Sequence, residues 1–155
     1  MQKITPFIWF EKDESKIADY YESIFPDDKI TSSSVMENTP SGAVEIMGIE
    51  LFGQAFTLMS AGPQFKLTEA VSFVIDCADQ DEVDHYWNSL TADGGEEGNC
   101  GWLKDKYGLS WQVVPKRMGE LFSDPDREKA GRASQAMLQM NKLNIAELEA
   151  AFEGK

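Results

Sequence analysis

The sequence predicts an α+β fold made of two similar βαβββ modules followed by C-terminal helices. Two observations predict it. Each half has stretches of strand length around one amphipathic helix, and matching residues recur between the halves. The expected boundaries are about 1–62 for the first module, 68–116 for the second and 117–155 for a helical tail. At this length all three fit a single domain, 1–155.

The first half reads as a strand, a helix and three strands. Lys3–Phe10 is apolar and aromatic and predicts a strand, and Asp13 precedes a helical pattern. The apolar stripe of this helix consists of Ile17, Tyr20, Tyr21 and Ile24. Turn residues then separate three predicted strands, Lys29–Met36, Ala43–Phe52 and Gln54–Ser60.

The second half repeats this order. Val71–Cys77 predicts a strand, and Asp79 begins a helix. The stripe of this helix consists of Val83, Tyr86, Trp87 and Leu90. Gly101–Asp105 and Leu109–Val114 predict a hairpin, in which Gly108 takes a left-handed conformation.

The repeat is visible in the residues themselves. Phe7-Ile8 matches Phe73-Val74 at an offset of 66 (73 − 7), and the two helix stripes match at the same offset. The segment 52–58 matches 107–113 at an offset of 55 (107 − 52). Two matches in the same order indicate an internal duplication.

The tail predicts two helices. Asp124 is the expected N-cap of the first, with Pro125 at its first position, and Asn144 with Glu147 forms a capping box for the second. In the last helix Ile145, Leu148 and Phe152 are expected to point inward. The first helix has a narrow stripe of Ala130, Ala133, Met137 and Met140. This stripe packs either within the protein, which we favour, or against a second subunit.

Composition excludes several classes of function. Acidic residues outnumber basic residues by 27 to 14, giving a formal charge of −13, which disfavours nucleic acid and anionic membranes as partners. No apolar run reaches the ~20 residues of a membrane span. The N-terminal residues do not resemble a signal peptide, so a cytoplasmic location is expected. Cys77 and Cys100 are expected to be free thiols, although Lys104 near Cys100 leaves open a reactive thiol there.

Several segments resemble a known family. They are Pro6–Phe10, Ala70–Phe73, Glu82–Trp87 and, most specifically, Cys100–Pro115, while Ala136–Lys142 resembles the family's tail. The chain is similar to the PhnB-like, or 3-demethylubiquinone-9 3-methyltransferase-domain, family of the vicinal oxygen chelate superfamily. This superfamily includes glyoxalases, dioxygenases and bleomycin or fosfomycin resistance proteins. The resemblance implies a cup-shaped mixed sheet and a homodimer.

Metal-using members of that superfamily place His and Glu ligands on the strands that line the cup. The resemblance puts Pro6, Thr57, Ala70 or Ser72, and Gln112 at those four positions. None offers the imidazole, thiolate or carboxylate that Zn, Fe or Ni prefers. His85 is the sole histidine and lies off its helix stripe. We therefore expect no metal and no cofactor.

The family's methyltransferase name has no support in the pattern of glycines. A nucleotide-type methyl donor normally binds over a glycine-rich turn that leads from a strand into a helix. Gly94-Gly95 instead follows a helix and leads into a strand.

A cup without a metal can still bind a ligand. Strand alternation from Thr57 and Gln112 predicts which side chains face it. The predicted lining consists of Ile8, Phe10, Thr57, Met59, Ser72, Val74, Ser110 and Gln112. The side chains expected to face the helices instead are Trp9, Phe56, Trp102 and Trp111.

The predicted function is metal-independent binding of a small apolar or aromatic molecule. The alternative is a metal-free transferase, isomerase or lyase acting on an aromatic or quinone-like substrate. A third possibility is a structural dimer module without a ligand. No credible set of catalytic residues is visible, so whether the protein is an enzyme stays open.

Overall fold

A computed structural model describes residues 3–11, 14–27 and 29–155 of the chain. The chain divides into two compact units, Met1–Leu67 and Thr68–Lys155. Each unit contains one strand–helix–three-strand module, and helices follow the second module. The predicted α+β fold class is therefore confirmed. Asp13, which precedes the predicted first helix, lies outside the described residues.

The first unit consists of β1 (Phe7–Phe10), α1 (Glu14–Ile24), β2 (Lys29–Thr39), β3 (Gly42–Leu51) and β4 (Gln54–Ser60). Its sheet has the order β1-β4-β3-β2. The first strand pairs in parallel with the last, and the other pairs are antiparallel. The helix packs on β3 and β4, so it covers one face of the sheet.

The second unit repeats this topology. Its elements are β5 (Phe73–Cys77), α2 (Gln80–Thr91), a short 3-10 turn (Ala92–Gly94), β6 (Glu96–Glu97), β7 (Trp102–Lys104) and β8 (Ser110–Pro115). The order β5-β8-β7-β6 again pairs the first strand with the last in parallel. The sequence did not predict β6, because two consecutive glutamates have the composition of a solvated turn.

Three helices complete the second unit: α3 (Lys116–Phe122), α4 (Arg127–Met137) and α5 (Ile145–Glu153). Helix α3 was not predicted. Their shared core consists of Leu121, Ala133, Leu148 and Phe152. Among the helices of the described residues, none combines the length and the apolar character that crossing a membrane requires.

Both amphipathic stripes of the modules were predicted correctly. The buried residues of α2 are the predicted Val83, Tyr86, Trp87 and Leu90. In α1, Ile17, Tyr21 and Ile24 are buried and Tyr20 is half-buried. The α4 residues Ala130 and Ala133 are buried as well, so that stripe packs within its own unit. Met137 and Met140 pack against the helical core, although Met140 lies beyond the end of α4.

Of the two predicted N-caps, Asn144 is confirmed, and Asp79, from which the second helix was predicted to begin, is the N-cap of α2. The Asp79 carboxylate accepts from the Glu82 amide at 3.0 Å, and the Asn144 side chain accepts from the Glu147 amide at 3.1 Å. The prediction of Asp124 as a cap was wrong, since Asp126 caps α4 instead.

Asp126 caps α4 instead of Asp124 because its carboxylate reaches the free amides of the first helical turn. Asp126 accepts from the amides of both Glu128 and Lys129 at 3.1 Å, which satisfies two free donors of the first helical turn. The Asp124 carboxylate accepts from the amide of Asp126, at 2.8 Å, and so forms a turn ahead of the helix.

Asp105 closes the β7–β8 hairpin from inside. Its side chain is buried, and it accepts from the amides of Tyr107 at 2.9 Å and Leu109 at 3.1 Å. Its second oxygen accepts from Nε1 of Trp111 at 2.9 Å. Asp105 thus caps the turn of the predicted hairpin, and Gly108 has the expected left-handed φ of 86°. One carboxylate thus ties the turn to the core of β8.

We predict that Asp105→Ala destabilises the protein by about 3 kcal/mol, because it leaves three donors unsatisfied and two of them, the Leu109 amide and the Trp111 indole, are buried. Urea unfolding followed by circular dichroism measures the loss. Asp76→Ala is the matched control, since Asp76 is exposed on β5, and its effect should stay within about 0.5 kcal/mol. Equal losses for the two variants would contradict the role given to Asp105.

The two cysteines differ in environment. Both are free thiols, as predicted, and Cys77 is completely buried whereas Cys100 is partly exposed. Burial, helped by the nearby carboxylates of Glu82, Asp76 and Asp79, raises the pKa of the Cys77 thiol from 9.0 to about 12. Cys77 is therefore protonated and inaccessible at physiological pH.

We predict that a thiol reagent such as 5,5′-dithiobis(2-nitrobenzoic acid) modifies at most one cysteine, Cys100, in the folded protein at pH 8. In urea both cysteines should react, because unfolding exposes Cys77 and returns its pKa to the ordinary value. Cys100→Ser should abolish the reaction of the folded protein and Cys77→Ala should not change it. Fast modification of Cys77 without denaturant would show that its site opens.

Candidate ligand-binding face

Each sheet has one face packed under its own helix and one face that this helix leaves uncovered, which we call the open face. In the first unit the parallel register pairs Phe7 with Thr57, Ile8 with Leu58 and Trp9 with Met59. Ile8 and Leu58 are buried, whereas Thr57 and Met59 are half-exposed. Phe7, Trp9, Thr57 and Met59 therefore share the open face.

The second unit has the same arrangement. Its register pairs Val74 with Gln112 and Ile75 with Val113. Ile75 and Val113 are buried, while Val74 is 54% exposed. Ser72 lies on the side of Val74, and its hydroxyl accepts a hydrogen bond from Nε2 of Gln112 at 2.9 Å.

Six of the eight predicted lining residues lie on an open face. Thr57 and Met59 lie on that of the first unit, and Ser72, Val74, Ser110 and Gln112 share that of the second. Whether they contact a ligand stays a prediction.

The placement of Ile8 and Phe10 was wrong. They are 6% and 2% exposed and lie on the helix-facing side. The offset of 66, which holds for the helices, slips by one residue on the strands: Phe7 and Val74, which pair with equivalent residues of the last strands, are 67 apart (74 − 7). A slip of one residue exchanges the two faces of a strand.

Two of the four aromatic residues expected to face the helices do so. Phe56 and Trp111 are buried. Trp9 and Trp102 instead lie on the open faces, because they pair with Met59 and Gln112 respectively.

The open face of the first unit is partly covered by its own chain. The ring of Trp9 meets that of Phe65 edge to face at a centroid distance of 5.0 Å. The indole Nε1 of Trp9 donates to the carbonyl oxygen of Gly62 at 2.8 Å. These contacts engage one of the two aromatic side chains on this face, whereas the other, Phe7, stays 56% exposed.

The open face of the second unit carries an ion pair that sequence reasoning missed. Lys104 on β7 binds the carboxylate of Glu69, which precedes β5. The hydrogen bond to Lys104 lowers the pKa of Glu69, and the hydrogen bond to Glu69 raises the pKa of Lys104, so both groups stay charged at neutral pH. The 34 residues between the partners, 70–103, left no signal of the pair in the sequence.

Ser110 lies beside this pair, since its register partner is Lys104. It is only 1% exposed, and its hydroxyl has no hydrogen-bond partner. A buried hydroxyl without a partner is costly unless another group fills the place. A cleft of about 140 Å³ adjoins it, lined by Glu69, Glu96, Glu97, Gly98, Trp102, Leu103, Lys104 and Ser110.

The donors present do not fit a transition-metal site. Of the expected positions, Thr57 and Gln112 face the open sides with neutral oxygens, and Ser72 already accepts from Gln112. Within 3–11, 14–27 and 29–155 there is no group of three or more His, Cys, Asp or Glu side chains able to hold an ion. His85 is exposed on α2 and its ring lies against Tyr86.

The glycine arrangement also follows the sequence-based expectation. The connection from β5 to α2 is Ala78-Asp79, without glycine. Gly94 and Gly95 lie between α2 and β6, after the helix. The second module therefore lacks the glycine-rich strand-to-helix turn that cradles a nucleotide.

The family described as 3-demethylubiquinone-9 3-methyltransferase matches residues 2–114. The match ends in β8, so the C-terminal helices, including Ala136–Lys142, lie outside it. No protein with a curated description matches the chain.

Solved structures extend this comparison. A PhnB protein from Bacillus cereus is 30% identical, with a TM-score of 0.65 over 74% of this chain and 99% of that chain. The fosfomycin resistance protein FosX from Listeria monocytogenes is 16% identical, with a TM-score of 0.56 over 79% and 98%. A glyoxalase family protein from Bacillus cereus is 14% identical, with a TM-score of 0.53 over 74% and 93%. The last two show a shared fold. The family match and the PhnB protein show more: the chain belongs to the PhnB-like, or 3-demethylubiquinone-9 3-methyltransferase, family of the vicinal oxygen chelate superfamily.

Proposed function

We propose that this protein binds a small apolar or aromatic molecule, without a metal ion, on the open face of its second unit. The observation that carries the proposal is the exposed side chain of Val74 beside the hydrogen-bonded pair of Ser72 and Gln112. An apolar surface next to a few fixed neutral polar groups is typical of sites for small organic ligands.

The apolar part of this face comes from adjacent strands. Val74 on β5 pairs with Gln112 on β8, and Gln112 pairs in turn with Trp102 on β7. Trp102 and Val114 are half-exposed and lie on the same side of the sheet. The face therefore offers an indole and two valines across three neighbouring strands, which suits a flat aromatic ligand.

The polar part of the face sets the orientation of a ligand. The amide of Gln112 is held by the hydroxyl of Ser72, which reduces the entropy lost when a ligand bonds to either group. Both are neutral, so a ligand is selected here by hydrogen bonds and shape.

Binding is better supported than catalysis. An activated serine needs a base within hydrogen-bond reach of its hydroxyl, and the hydroxyl of Ser110 has no hydrogen-bond partner. Glu69 lines the same cleft as Ser110, but its carboxylate is bound to Lys104, and its lowered pKa makes it a weaker base.

A cytoplasmic homodimer is part of the same proposal. Dimers are common in this superfamily, and two free cysteines are compatible with a reducing compartment. Light scattering tests the assembly, with a mass near twice 17.4 kDa expected and a mass of 17.4 kDa contradicting it.

We predict that a screen of aromatic and quinone metabolites yields compounds that raise the melting temperature, equally with and without EDTA. Val74→Glu should weaken binding of such a hit at least about tenfold, because it places a charge on the apolar surface. Val35→Glu is the matched control, since Val35 is 59% exposed on β2 in the other unit, and it should leave affinity unchanged. Isothermal titration calorimetry measures both.

Two results would contradict this proposal. One is a hit whose affinity survives Val74→Glu while both variants keep the melting temperature of the parent. The other is binding that disappears on chelation and returns with a divalent metal. A hit recovered in chemically altered form would show that the protein is an enzyme.

A further inference from the structure

We infer that the cleft beside Ser110 in the second unit binds a small organic cation, most simply the primary ammonium group of a ligand. The inference deepens the proposed function, since it assigns a charge to one end of the molecule bound on this open face. It depends on three observations: a hydroxyl without a partner, an excess of negative charge and an adjoining indole.

The hydroxyl of Ser110 is the first observation. The residue is 1% exposed, it lines the cleft, and its Oγ has no hydrogen-bond partner in the protein. The side chain lies on the open face, as its partner Lys104 does. Such an oxygen offers two lone pairs, and an ammonium group offers three donors and no acceptor. The two are complementary.

The charge of the lining selects a cation. Glu69, Glu96 and Glu97 line the cleft, opposed by Lys104 alone. The Glu97 carboxylate accepts from Nε1 of Trp87 on the α2 side at 3.1 Å, so it is engaged away from the cleft. Glu69 and Glu96 still outnumber Lys104, which leaves a net negative charge.

The ion pair explains why an anion is disfavoured. Lys104 already binds Glu69, so an anion would have to displace that carboxylate and lie near Glu96. A cation can instead share an oxygen of Glu69 without breaking the pair. The charge of the whole chain, −13, acts in the same direction at longer range.

Trp102 and the size of the cleft define the ligand group further. Trp102 lines the cleft and has its side chain on the same open face, and an aromatic ring attracts ammonium groups. A volume of about 140 Å³ accommodates a head group of a few heavy atoms, whereas whole ligand pockets measure about 300–1,000 Å³. The cleft therefore holds one end of a molecule whose apolar part extends along the face towards Val74.

Ethylammonium chloride and sodium acetate, matched in size and ionic strength, test the inference by ¹H–¹⁵N NMR titration of the full chain. We expect ethylammonium to shift the amide signals of Ser110 and Lys104 and the indole signal of Trp102, with saturation in the millimolar range. Acetate should leave these signals in place.

Two variants test whether the Glu69 carboxylate and the Ser110 hydroxyl bind ethylammonium. Glu69→Gln and Ser110→Ala should each weaken ethylammonium binding at least fivefold. Ser110→Ala keeps the volume nearly unchanged and removes an unpartnered oxygen, so it should fold. Glu37→Gln is the control for the loss of one charge, because Glu37 is exposed on β2 in the first unit, and it should have no effect.

Two results would overturn the inference. One is saturable shifts with acetate. The other is ethylammonium binding that neither Glu69→Gln nor Ser110→Ala changes, which would show that the Ser110 hydroxyl binds only water. The proposed function is separable from it. If an aromatic hit binds while ethylammonium does not, the inference alone is wrong. If ethylammonium binds and no aromatic compound does, the inference stands and the proposed function fails.

Discussion

The parallel pairing of the first and last strands decides what each unit buries and what it presents. The register places each residue of the first strand beside one residue of the last: Ile8 lies beside Leu58, and Ile75 lies beside Val113. The amphipathic helix then covers these side chains and leaves the intervening ones uncovered. A slip of one residue in β8 would bury the amide of Gln112 under α2 and expose Val113. The burial of this apolar set therefore fixes the composition of the open face as well as the core.

The two open faces have diverged although the modules share this frame. In the first unit the segment after β4 returns to the sheet, where Gly62 and Phe65 engage Trp9. In the second unit the segment before β5 supplies Glu69 and Ser72, which bind side chains of β7 and β8. The open face of the first unit is partly covered by aromatic packing, whereas that of the second unit carries polar contacts between side chains. Among the described residues, the second open face combines exposed apolar surface with the unpartnered buried hydroxyl of Ser110. The unpartnered hydroxyl of Ser60 in the first unit lies beside Phe10 on the helix-facing side, so it does not belong to that open face.

Much of this fold can be predicted from the sequence, and the predictions that were wrong have physical causes. Helix stripes are specified because the residues between them are polar, so only one face can be buried. Alternation in a strand shows which residues share a face, but it identifies the buried face only where the other is polar. In β1, Phe7, Ile8, Trp9 and Phe10 are all apolar. The pairing of β1 with β4 determines which of its faces is buried, and no local pattern in the sequence contains that information. The ion pair of Lys104 and Glu69 was missed for the same reason, since it depends on a parallel register.

Neutral side chains at the expected metal-ligand positions change how such a face can act. A divalent ion would hold a ligand through one strong, central contact and would polarise it. Because Thr57 and Gln112 occupy the expected metal-ligand positions with neutral side chains, a ligand bound as proposed would gain its affinity from many weak contacts. Weak contacts discriminate well only when their groups are already fixed, because a flexible side chain loses entropy on binding. The bonds of Ser72 to Gln112 and of Glu69 to Lys104 fix those groups in advance, and in the proposed complex the asymmetric charge around Ser110 orients the ligand along the sheet.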